Sequence, residues 1–173
     1  MTKYVFLLCI IGMFISMTQP RADDLIVREG RTAHFRLTLQ IGPMEAMYSE
    51  ADAKATHPTS GEVMLSGKMT GGMPSMDHAM PGMTSMPGMR HVELHAYSLK
   101  TGKAVPDASV TIVLIGADKK RQRVPIARMY GVSEGLADLH YGNNMRVSPG
   151  TYAVDATVNG ETTHFSITIP AGS

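Results

Sequence analysis

What most restricts the fold of this chain is an apolar residue at every second position, repeated in short runs along its length. "HFRLTLQI" (34–41) sets Phe35, Leu37, Leu39 and Ile41 against polar neighbours, the period of a strand with one buried face. "HVELHAYSL" from His91, "SVTIVLIG" (109–116), "TYAVDATV" (151–158) and "THFSITI" (163–169) keep the same period. Turn-forming stretches separate them: "KTGKAVPD", "GADKKR", "SPGT" and "VNGE". No segment makes a convincing amphipathic helix. Short strands joined by tight turns imply an all-β fold, an immunoglobulin-like antiparallel β-sandwich. "ARMYGVSEGLADLHYGNN" (127–144) breaks the pattern and reads as a long, glycine-bearing loop between two strands, the kind of segment that often carries function.

The first residues do not belong to that domain. Lys3 precedes an apolar run from Tyr4 to Ile15, and "SMTQPRADD" follows, the order of a secretory signal peptide cut after Ala22. The run is too short to span a bilayer, so residues 23–173 are expected as one exported, periplasmic domain with no membrane span after cleavage. The single cysteine, Cys9, leaves with the leader. The mature chain then has no thiol, which excludes disulfides, thiolate metal sites and cysteine nucleophiles. Losing Lys3 and Arg21 lowers the basic count from 16 to 14 against 15 acids, a net charge near −1 that gives nucleic acid no basic surface to bind.

A methionine-rich stretch interrupts the strands. Residues 64–90 are rich in Met, Gly and Pro, and methionines recur every three or four positions from Met69 to Met89. That spacing would line one side of a helix, but Gly71, Gly72, Pro74, Pro81, Gly82, Pro87 and Gly88 intervene, and each internal proline costs a helix about 3 kcal/mol. A flexible loop is expected instead. Thioethers bind copper(I), and a flexible run gathers several at modest ordering cost. Met73, Met76, Met80 and Met83 are candidate copper(I) ligands, and Asp77 and His78 add groups that tolerate copper(II). The alternative is a low-complexity linker that holds nothing.

Two further constellations carry chemistry. Alternation along "HVELHAY" sends Val92, Leu94 and Ala96 to one face and His91, Glu93, His95 and Tyr97 to the other, so two imidazoles and a carboxylate share a surface. They form a ligand set or a solvated outer face. In "LHYGNN", His140 follows Met129 by eleven positions, and a thioether beside imidazole favours copper. Alone, His140 could be a hydrogen-bonded turn residue and Met129 a core side chain.

On these motifs the chain resembles the bacterial periplasmic iron-transport proteins that accompany an inner-membrane iron permease. Their histidine, apolar residue, glutamate strand matches His91, Val92, Glu93, and their methionine before histidine-tyrosine-glycine matches Met129 and His140, Tyr141, Gly142. "LQIGPMEAM" (39–47) is similar to their early strand and acidic methionine turn. The resemblance implies an immunoglobulin-like sandwich, a homodimer, and a copper site that also serves iron, held by His91, Glu93, Met129 and His140. A third histidine is implied: either His164, which the alternation of "THFSITI" turns outward, or His95 in its place. "LKTGKAVPDASVTI" is also similar to YtkA-like and copper-resistance sandwich domains.

The reading that follows is a periplasmic metal-binding protein that binds copper and assists iron uptake through the permease. A copper chaperone or tolerance protein, working with another copper-handling protein, is the second reading, and a structural module without metal the third. An enzyme is not expected, since no activated nucleophile and no second carboxylate beside Glu93 is evident. Histidine must be neutral to bind, so affinity is expected to fall as pH drops through about 6.5.

Overall fold

The computed structural model describes residues 25–65 and 86–171. The expected leader and Met73, Met76, His78, Met80 and Met83 lie outside them. Eleven strands form in chain order: β1 (Ile26–Arg31), β2 (Phe35–Pro43), β3 (Met47–Ser49), β4 (Glu62–Met64), β5 (Met89–Ser98), β6 (Val110–Gly116), β7 (Arg121–Arg123), β8 (Ala127–Gly131), β9 (His140–Arg146), β10 (Gly150–Val158) and β11 (Glu161–Ile169). A helix α1 (Glu50–Thr56) and a 3-10 turn at Gly135–Asp138 complete the set. Among the described residues no helix is long and apolar enough to cross a membrane.

The strands make an all-β sandwich. One sheet has the order β1-β2-β5-β9-β8-β4-β3, the other β11-β10-β6-β7. The alternating runs face each other: Leu37, Leu39 and Ile41 of β2 and Val92, Leu94 and Ala96 of β5 pack in one core with Ile112 and Leu114 of β6 and Phe165, Ile167 and Ile169 of β11. Burying such side chains from both sheets is the main favourable contribution to the fold. Tyr141 of β9 enters the same core and its hydroxyl donates to the Val105 carbonyl while accepting from the Ala108 N–H at 2.9 Å. The turn of "VNGE" is a two-residue hairpin with positive φ at Asn159 and Gly160, the geometry whose twist matches flanking strands.

Three expectations are corrected, and the antiparallel sandwich is refined by one parallel pair. Residues 127–144 are not one long loop: β8 and β9 occupy most of the segment and pair antiparallel, leaving a connection of 132–139. Residues 64–90 are not all loop, because Met64 ends β4 and Met89 and Arg90 begin β5. Helix α1 was not signalled, being seven residues long; the Ser49 side chain caps it by accepting the Asp52 N–H at 3.0 Å. The sheets are antiparallel except at β3 and β4, which run parallel.

Candidate metal centre

Register brings the polar groups together. Residues directly opposite in a ladder project to the same face. His91 stands opposite Asn144, Glu93 opposite Gly142, and Met129 opposite His140. Because Val92 and Leu94 face the core, His91, Glu93 and His95 occupy the other face of the seven-stranded sheet, as the alternation implied. This face is nonetheless covered: His91, His95 and His140 are all buried, as is Glu62 of β4. Buried polar groups need partners, which makes their arrangement informative.

Four side chains converge. His140 Nε2 lies 3.2 Å from Glu62 Oε2 and 3.3 Å from Glu93 Oε2, and His91 Nε2 lies 3.5 Å from the same Glu93 oxygen. Glu62, His91, Glu93 and His140 each offer one ligand atom within 4.8 Å of the others. Glu62 Oε2, His91 Nε2 and His140 Nε2 are buried yet make no aligned hydrogen bond. The 3.2 Å approach of His140 to Glu62 is an ion-pair distance off a hydrogen-bond direction.

The remaining ring nitrogens are held from behind. His91 Nδ1 is 3.0 Å from Asn144 Oδ1, and Asn144 is fixed by the backbone of Glu45, donating to its carbonyl at 2.7 Å and accepting from its N–H at 3.1 Å. His140 Nδ1 is 2.7 Å from the Asp138 carbonyl. Both carbonyl-type oxygens demand a proton on Nδ1, so a neutral ring presents an unprotonated Nε2 to the cluster. That is the arrangement by which outer partners orient histidine ligands on a metal.

Electrostatics reinforce the grouping. Burial works against a charged His140, but the close carboxylates of Asp138 and Glu62 and the charge of Glu93 prevail and raise its pKa to about 10. Burial likewise opposes a charged Glu93, yet contacts from His91 and His95 and the charge of His140 hold its carboxyl well below the usual carboxylate range. Burial raises the Glu45 carboxyl, helped by Glu62 and Glu93. Without an ion, the proton on His140 is the main local compensation for this excess of carboxylate.

Of the other expected residues, Met129 is fully buried, opposite His140 and opposite Met64 on its far side, and is absent from the main core cluster. His95 joins the cluster's margin: its Nε2 is 3.4 Å from Glu93 Oε1 and 2.9 Å from Gln40 Nε2. His164 is set apart. It points outward from β11, as the alternation implied, but in the other sheet, exposed and 2.8 Å from Asp155 Oδ1, so it cannot share an ion with His91.

Glu62 and Asp138 were missed, and the absence of a second carboxylate beside Glu93 is corrected by Glu62. Glu62 opens a three-residue strand, too short for periodicity to reveal, while Asp138 lies two positions before His140 and was legible as a neighbour.

Comparison with family models and with curated proteins finds no match. Among solved structures the chain is similar to a DUF4426 family protein from Pseudomonas aeruginosa PAO1, with 14% identity and a TM-score of 0.47 over 85% of this chain and 97% of that one.

Proposed function

We propose that this chain is a periplasmic metal-binding protein whose centre is Glu62, His91, Glu93 and His140, that it binds copper, and that it assists iron uptake through a membrane permease. The observation that carries the metal reading is the set of three buried, unaligned ligand atoms, Glu62 Oε2, His91 Nε2 and His140 Nε2, gathered around Glu93. Buried polar atoms without partners are costly, at roughly 1–3 kcal/mol each, and a divalent cation satisfies all of them at once. Two carboxylates and two neutral imidazoles accept copper(II) and iron(II) alike. The permease rests on the resemblance of the "HVE" and "HYG" motifs, and the periplasm on that resemblance together with the expected leader peptide.

A specific observation favours the copper chaperone as the second reading. Met129 is fully buried on the ligand face opposite His140, and a thioether there suits copper better than iron. The test for metal binding is titration of the purified chain with copper(II) and with iron(II), beside His91→Ala and His140→Ala. One tight ion that either substitution abolishes is the expected outcome; equal uptake by all three proteins would remove the site. Met129→Leu then tests the thioether, because only a copper centre that uses it changes its copper(I) affinity, while iron(II) held as tightly as copper(II) favours the iron-uptake reading over the chaperone.

A further inference from the structure

Behind His140, on the side away from Glu62, lies a second group that the centre above does not use. His95 Nδ1 is buried without a hydrogen-bond partner, and its side chain is only 4% exposed. It faces Asp138 Oδ1 at 3.7 Å, and Asp138 Oδ2 lies 3.6 Å from His140 Nδ1. One atom from each of His95, Asp138 and His140 falls within 4.8 Å of the others. When the opposite nitrogen of His95, Nε2, donates to Glu93 Oε1 at 3.4 Å, Nδ1 is the unprotonated one. At 30% exposure, the Asp138 side chain is more open than Glu62 at 10% and Glu93 at 14%.

We propose a second, outer cation position held by His95 Nδ1, the Asp138 carboxylate and His140 Nδ1, so that the His140 ring bridges two divalent ions. This rests on the metal reading above, since His140 serves both positions. The two positions use different nitrogens of one ring, and no ligand atom is claimed twice. Formation requires the proton that His140 Nδ1 now gives to the Asp138 carbonyl, at 2.7 Å, to leave for solvent as the outer ion arrives. The bond broken is N–H and the bond formed is N–metal, with no change of oxidation state. Charge favours the doubly loaded state: Glu62, Glu93, Asp138 and an imidazolate bring four negative charges, which two divalent cations cancel. A single inner ion leaves that sum negative.

Exposure orders the two positions. Asp138 reaches solvent whereas Glu62, Glu93 and His140 are enclosed, so an ion arriving from outside meets the outer pair first. The test is equilibrium dialysis of the full, metal-free chain against cobalt(II), which thioethers hold poorly, with bound metal counted per chain. Two ions are expected for the unaltered protein and one for Asp138→Asn, which retains an oxygen to accept the Gly131 N–H now 3.2 Å from Asp138 Oδ2. His95→Gln should repeat the loss, and circular dichroism should show both variants folded. One ion in the unaltered chain, lost in His91→Ala but kept in Asp138→Asn, overturns the outer position and leaves the centre standing. Two ions retained in Asp138→Asn overturn it as well, and no cobalt bound at all overturns both.

Discussion

At the scale of single residues, the telling group is His140. Neutral imidazole was expected to lose affinity for metal as pH drops through about 6.5, the ordinary value, but the carboxylates around His140 raise its pKa to about 10. An ion at Nε2 must displace that proton throughout the neutral range. Apparent affinity should therefore keep rising, by up to about tenfold per pH unit, until about pH 10 rather than levelling above 6.5. The same shift acts on folding with the opposite direction. A pKa raised above the unfolded value adds stability that is fully present below 6.5 and is lost as pH rises through about 10. Thermal melts in a chelator should show a falling Tm across that interval, and a level Tm would contradict the contact with Glu62 and Asp138. Glu62 and Glu93, which help to set the shift, are distant from His140 in the chain, and only Asp138 beside it could be read locally.

Among elements, legibility followed length and the kind of face a strand turns outward. The runs at β2, β5, β6, β10 and β11 have seven to ten residues each and alternate cleanly, so they were readable from the sequence. Strands β3, β4 and β7 have three residues each, too few to repeat an alternation even twice. Strand β9 failed for another reason: His140, Gly142, Asn143 and Asn144 are polar or small and yet buried, so its sequence resembles a loop. The histidine face of β5 was legible through alternation, whereas Glu62 was not, since β4 reveals itself only by pairing with β8. Strand β4 is also where an ion should be felt mechanically. Its continuation is tied by the Leu65 N–H to the Arg128 carbonyl at 2.9 Å. Zinc(II) should slow hydrogen exchange at Leu65 in the unaltered chain and leave it unchanged in Glu62→Ala, as NMR would read directly. Equal exchange with and without zinc would separate β4 from the centre.

For the whole molecule, the decisive fact is that the apolar core and the polar cluster lie on opposite faces of one sheet. The core joins the two sheets; the cluster sits on the far side of β5 and β9. Stability and ligand geometry are therefore separable. Leu114→Ala in β6 removes a fully buried side chain from the core and should cost about 2–5 kcal/mol in denaturant unfolding. Metal bound per folded molecule should stay the same, and a parallel loss of binding would show that the faces are coupled. One arrangement has a consequence in polymer terms. Glu62 and His91 are 29 positions apart, so an ion shared by them cross-links the chain across the whole methionine-rich interval. By the chain-entropy argument used for disulfides, an ion that stayed on both residues during unfolding would restrict the unfolded chain by roughly 3–4 kcal/mol. In a protein whose mature form is expected to have no thiol, a bound ion would serve as a removable staple, one that a chelator undoes without reducing any bond.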